Sequence, residues 1–297
     1  MKTEKNILVA FILNLAFSIF EFVGGIMTGS VAIISDSVHD IFDAASIGIS
    51  YFLEKKSKKQ PDNVYTYGYA RFSAVGGMIT TVMLLFSSAA VIVNAVIRII
   101  EPVKINYNGM IIFAVIGAVV NFLAAFLTRR GSSINQKAVS LHMLEDLLGW
   151  IVVLIGAVVM KFTDLAILDP LMSMGVAIFI LVNAVKGLRE ILDLFLEKIP
   201  HGIDADEIKE HISELDGVLD VHHIHIWSMD GQSHYATMHV VTDGEHHAVK
   251  ESVRQELREH GICHVTLELE EKNELCHERN CAVNVNTTNL GHSHHHH

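Results

Sequence analysis

Histidine is nearly missing from the first two thirds of this chain. Nineteen are present, yet only His39 and His142 precede residue 200. Proline is scarce as well, four in 297 residues, so long helices meet few breaks. The three cysteines, Cys263, Cys276 and Cys281, all fall late. An odd number with no secretory context argues against a disulfide framework and fits a reducing compartment. No G-x-x-x-x-G-K-[ST] phosphate loop occurs, which argues against nucleotide-driven chemistry of that kind. The net charge is -11, arising mostly in the second half. That leaves no broad basic surface, so nucleic acid is not an expected partner.

Apolar residues dominate, at 51% of the chain with a mean hydropathy of +0.38. They come in long blocks up to about residue 195, after which charged residues and histidines take over. "EKIPHG", Glu197 to Gly202, marks the change with Pro200 and Gly202. A bilayer core of about 30 Å needs roughly 20 apolar helical residues. Six windows meet that length: about 7–28, 31–53, 74–99, 108–129, 136–160 and 169–192. The first is too long for a signal peptide and is read as a retained span. One set of span ends carries thirteen Lys and Arg, from Lys2 to Lys198; the other carries Arg98, Lys104 and Lys161. That asymmetry predicts six crossings with both termini cytosolic, and the expected location is the cell (inner) membrane. The chain divides into a transmembrane domain over 1–199, a cytosolic domain over 200–285, and a His-rich tail over 286–297 read as disordered.

Charged groups inside such spans are costly, roughly 2.5–3.5 kcal/mol each at a helix centre, and usually face the bundle interior. "HDIFD" in span two gives His39 and Asp43; "HMLED" in span five gives His142 and Asp146. Residues i and i+4 share one helix face. Each helix therefore offers an imidazole and a carboxylate side by side. Two such faces brought together make a tetrahedral set suited to Zn²⁺, with the aspartates balancing the ion's charge. A lone intramembrane histidine would be equally well explained by a hydrogen bond to a neighbouring helix. The same His-x3-Asp pattern on two helices, in a region with no other histidine, favours the ion. Asp40 and Glu145, about 100° around from the pairs, are read as polar-network or pathway residues. Asp36 either lines an exit path or satisfies backbone near the helix start. Glu21 and Asn14 in span one are candidates for the same polar interior. An intramembrane metalloprotease would need His-Glu-x-x-His, which neither motif supplies. A zinc sensor or scaffold that binds without transporting uses the same ligands and stays open.

Beyond Pro200, "DADEIKEHISEL" reads as an amphipathic helix. "GVLDVHHIHIWSMD" and "SHYATMHVVTD" alternate like strands around the turn "DGQS". "EHHAVKESVRQELREHG" is a second helix and "CHVTLELE" a third strand. The order α-β-β-α-β predicts a two-layer, ferredoxin-like α/β domain.

From about residue 6 to residue 281 the chain resembles the cation diffusion facilitator family, and its zinc-exporting branch in particular. The resemblance rests on "LNLAFSIFEFVGGIMTGSVAIISDSVHDIFD", "YGYARF", "SLHMLEDLLG" and "LDPLMSMGVA". It implies a homodimer in the lipid bilayer that exports divalent metal from the cytosol in exchange for protons by alternating access. It makes Zn²⁺ the leading substrate, since Asp-x3-Asp relatives are more often associated with manganese; Cd²⁺, Co²⁺, Mn²⁺ or Fe²⁺ are the alternatives. It implies a transporter and not an enzyme. It also implies a cytosolic domain that dimerises and senses metal, with His222, His239 and Glu268 at ligand positions; solvated strand histidines are the plainer alternative. Cys276 and Cys281 match a cysteine pair of some relatives, but with four intervening residues where two are usual, which leaves a shared chelate in doubt. The loop between spans two and three lacks the histidines of an extra metal site found in some relatives. The ending "GHSHHHH" is compositionally metal-binding and equally consistent with an appended tag.

Overall fold

The computed structural model describes residues 2–28, 31–101, 107–129, 133–163, 167–272 and 274, and of residues 2–4, 24–28, 31–36, 38–39, 107–110 and 168–169 the backbone alone. The chain falls into two compact units, one of Met1–Lys198 with Met229–Gln232 and one of Ile199–Ser228 with Ser233–His297.

The first unit has six long helices: α1 (Lys2–Thr28), α2 (Val31–Ser57), α3 (Arg71–Ile100), α4 (Tyr107–Thr128), α5 (Ile134–Thr163) and α6 (Leu168–Phe195). Among the described residues, five of these helices, α2 being the exception, hold a stretch long and apolar enough to cross a membrane. α2 matches α1 in length, but Asp36, Asp40, Asp43 and Glu54 interrupt its apolar run. The unit exposes large apolar side chains and buries many small and hydroxylated ones beside its apolar clusters. Phe42, Phe52, Phe86 and Phe162 point outward, while Ser46, Ser50, Thr80, Thr81 and Ser88 are buried. Small and hydroxylated residues at helix contacts are what packing in lipid requires, since burying apolar surface there releases no water. The protein is thus a multi-pass integral membrane protein. Gly117 of α4 illustrates the close approach, because a Cβ there would overlap the Trp150 indole of α5.

One contact sets the register of α2 against α5. Asp43, Ile47, Ser50 and Glu54 recur at helical spacing along one face of α2; Asn135, Val139, His142 and Asp146 do the same on α5. Ile47 and Val139 are fully buried in one apolar cluster. At one end Asn135 Nδ2 donates to the Ser50 carbonyl at 2.9 Å and to Glu54 Oε2 at 3.3 Å, and the Ser50 hydroxyl donates to Asn135 Oδ1. Ser73 of α3 donates to the same Glu54 oxygen at 2.7 Å. Glu54, 3% exposed, is thereby held by donors from α3 and α5. The antiparallel pairing that joins Asn135 to Glu54 carries Asp43 up to His142.

Between α2 and α3, Asp62 builds the loop. Its carboxylate accepts from Lys59 Nζ at 2.8 Å, from the Val64 and Tyr65 amides at 3.0 and 2.9 Å, and from the Tyr69 hydroxyl at 2.7 Å. The Lys59 hydrogen bond first, then the backbone and Tyr69 bonds, hold this carboxyl well below the usual carboxylate range. α6 ends in a Schellman arrangement: Lys198 N–H donates to the Asp193 carbonyl and Glu197 N–H to that of Leu194, with Glu197 in the left-handed region at φ 58.

The second unit has the expected order: α7 (Ala205–Ser213), β1 (Val218–Ser228), β2 (His234–Thr242), α8 (His246–Glu259) and β3 (Ile262–Glu271). Asp204 caps α7 and Glu245 caps α8, each side chain accepting two backbone N–H groups. β2 lies central, antiparallel to β1 and parallel to β3. Ile208 and Ile212 of α7 and Val249, Val253 and Leu257 of α8 bury against Val221, Ala236, Met238 and Val240 of the sheet. Gly231 takes φ 84 in the β1–β2 turn, a conformation open to glycine without strain. The alternate residues of β2 and β3, including His239, Glu268 and Glu270, therefore occupy the face of the sheet away from the helices.

Two outcomes follow. Asn135→Ala should lower unfolding stability by about 1–3 kcal/mol, the cost of leaving the buried Glu54 carboxylate short of a donor; thermal melts in detergent read it. The Asp62 contribution to loop order is present in full above the unfolded pKa of about 4 and is lost only as pH falls through the depressed folded value. Hydrogen exchange over residues 59–69 should stay slow from neutral pH down to about pH 4, and Asp62→Asn should speed it at neutral pH.

Candidate metal centre

Where α2 and α5 cross, Asp43, His142 and Asp146 converge. His142 is fully buried and Asp43 is 4% exposed. Asp43 Oδ2 and Asp146 Oδ2 each lie 3.9 Å from His142 Nε2, and one ligand atom from each residue falls within 4.8 Å of the others. Among the described residues neither ring nitrogen of His142 has a hydrogen-bond partner. An unpaired polar ring is expensive in a bundle interior, and two carboxylates there need countercharge. A tetrahedral zinc with bonds of about 2.0–2.1 Å has ligand–ligand edges of about 3.3 Å. The observed separations need only a small contraction to reach it, and the donor chemistry fits a borderline divalent cation.

His39 lies one turn before Asp43 on α2, on the same face by helical spacing; its side chain is outside the described residues, as is that of Asp36. Glu145, one residue from the pair, is turned to α3, where the Ser88 hydroxyl donates to its Oε1 at 2.9 Å. Glu21 and Asn14 of α1 are both buried, and Ser18 donates to the Asn14 carbonyl at 2.8 Å.

The second unit brings together another set. His222 and His239 face one another across the β1–β2 pairing, ring centroids 5.4 Å apart. Glu270 stands between them, Oε1 2.6 Å from His239 Nδ1 and Oε2 3.3 Å from His222 Nε2. Glu268, directly opposite His239 on β3, reaches the ring's other nitrogen at 3.3 Å and is largely exposed. Glu268 and Glu270 thus each contact one nitrogen of His239, and one ligand atom from each of His222, His239 and Glu270 falls within 4.8 Å of the others. Glu270 was not singled out from sequence, although it follows Glu268 by two residues on the same strand face. A bulge adds a further feature. Pairing slips between His222 and His225, and His223 takes φ 56, which stacks its ring on His239 at 4.7 Å. A cleft of about 340 Å³ opens beside the pair, lined by Leu219, Asp220, His222, Val241, Glu270, Glu271, Lys272 and Glu274. Cys276 and Cys281 and the tail from 286 lie outside the described residues.

The model of the cation efflux transmembrane domain matches residues 7–196, and that of the cation efflux protein cytoplasmic domain matches residues 200–272. A zinc transporter ZitB of Yersinia pseudotuberculosis is 30% identical over 99% of this chain and 96% of its own. A cadmium, cobalt and zinc/H(+)-K(+) antiporter of Bacillus subtilis is 29% identical over 90% of this chain and 89% of its own. The metal cation efflux system protein CzcD of Cupriavidus metallidurans is 30% identical over 90% and 86%.

Replacing His142 by Ala should weaken zinc binding at the membrane site by more than the roughly 100-fold typical of losing an outer-shell partner. Zinc titration against a competing chelator in detergent measures it.

Proposed function

The chain belongs to the cation efflux family, and from that premise we propose that it exports Zn²⁺ from the cytosol in exchange for protons. The observation that carries this reading is the meeting of Asp43, His142 and Asp146 inside a six-helix membrane bundle. His39 completes the proposed set as the fourth ligand. The relatives described as zinc transporters, and as a cadmium, cobalt and zinc antiporter, support zinc as the substrate. Excess lysine and arginine at one set of span ends supports cytosolic termini, and the bacterial relatives support an inner-membrane location.

The chemistry is competition between Zn²⁺ and H⁺ for the same atoms. Imidazole binds metal only when neutral and carboxylates only when ionised. With an unperturbed pKa near 6.5, histidine exchanges protons close to neutral pH. In the inward-facing state the site gives up protons and takes zinc. After the helices rearrange, protons from the other side displace the metal, and the protonated site returns. Ser88 holds Glu145 against α3, which keeps a third carboxylate out of the ligand set and preserves four-coordination. The cytoplasmic-domain match supports a homodimer joined through the second unit, where zinc on His222, His239 and Glu270, with Glu268 orienting His239, would stabilise the docked pair.

Reconstituted into proteoliposomes, the protein should accumulate zinc faster when an imposed pH gradient drives protons the opposite way, and Asp146→Ala should abolish that flux. Zinc binding that persists with no flux under any gradient would establish a sensor or scaffold. Removal of residues 201–297 should blunt the zinc dependence of the rate; an unchanged dependence would reject regulation by the second unit.

A further inference from the structure

On the helical side of the second unit, three side chains outside both clusters converge. His211 sits in the last turn of α7, Glu256 in α8, and His260 at its C-cap. Their positions follow from the core. Val249, Val253 and Leu257 form the buried ridge of α8; Glu256 and His260, one turn apart, run along the neighbouring ridge. Ile208 and Ile212 anchor α7 and leave His211 at the rim facing α8. His211 Nδ1 lies 3.2 Å from Glu256 Oε1 and 3.0 Å from His260 Nε2, and that Nε2 lies 3.3 Å from Glu256 Oε1.

We propose that His211, Glu256 and His260 form a separate divalent-cation site that clips α7 to α8 and takes Zn²⁺. Three atoms at these spacings outline one face of a tetrahedron whose edges, for zinc, are about 3.3 Å. Hydrogen bonds serve the triangle only in part, since donation from both rings to Glu256 and donation from ring to ring exclude each other. If both rings donate to Glu256, two N–H groups are crowded against each other across 3.0 Å. If only one ring donates along that edge, the carboxylate loses a donor. A cation in front of the face satisfies all three atoms. Two helix C-termini also meet here, and their partial negative charge favours a cation. The side chains are partly exposed, 43% for His211 and 21–22% for the other two, which leaves room for water as a fourth ligand. The site lies across the domain core from His239 and Glu270, and stands or falls separately from transport.

The test uses the full-length protein in detergent, stripped of metal and titrated with Zn²⁺. Reactivity of each histidine toward diethyl pyrocarbonate is read by peptide mass spectrometry. Zinc is expected to slow His211 and His260 together at one midpoint, and to do so equally in Asp43→Ala, whose transport site is disabled. Glu256→Gln preserves the side-chain length and should move that midpoint to zinc concentrations at least about 10-fold higher. Unchanged reactivity of both rings at zinc levels that saturate the parent, or a Glu256→Gln midpoint equal to the parent's, overturns the proposal.

Discussion

The approach of α2 to α5 is the constraint on which the rest of the membrane unit depends. Two carboxylates and an imidazole are held within a few ångströms of each other in a setting where none is well solvated. Such a group is tolerable only if something positive, metal or proton, sits among its members. The bundle maintains the approach by a second polar contact three turns away, where Asn135 grips Glu54 and Ser50. Ile47 and Val139 fill the space between. A polar lock and a polar site thus bracket one apolar layer, and the lock determines which residues of α5 face Asp43. That arrangement fixes the register of the two helices and gathers charge at one point.

Much of this was legible in the residues. The i, i+4 spacing of His and Asp, repeated on two otherwise apolar helices, identifies a shared face, because helical geometry leaves no other relation between those positions. Spacing within a helix says nothing about which neighbour it meets. The Ser88 contact that turns Glu145 aside and the Asn135–Glu54 contact each join residues more than fifty positions apart. Hydropathy alone also undervalues α2, since its carboxylates make it the least apolar helix of the six.

The second unit shows where simple periodicity fails. Strict alternation puts His222 and His223 on opposite faces of β1; the bulge and the left-handed backbone at His223 bring its ring onto His239 as well. Glu270 belongs with the histidines because β3 runs parallel to β2 in a register that alternation cannot supply. The His211 cluster was less visible still. Its members come from two helices separated by a hairpin, and each alone reads as an ordinary polar residue on an amphipathic surface. Histidine enrichment after residue 200 therefore has structure to it, with one group on the sheet and another on the helices.

The most direct measurement of the central claim is a double-mutant cycle on zinc affinity at the membrane site, with Asp43→Ala on α2 and Asp146→Ala on α5, read by chelator competition. If both carboxylates serve one ion, the double variant should bind zinc little worse than the weaker single variant, giving strong non-additivity. Losses that simply add, as for distant and independent sites, would contradict a single ion shared between the two helices.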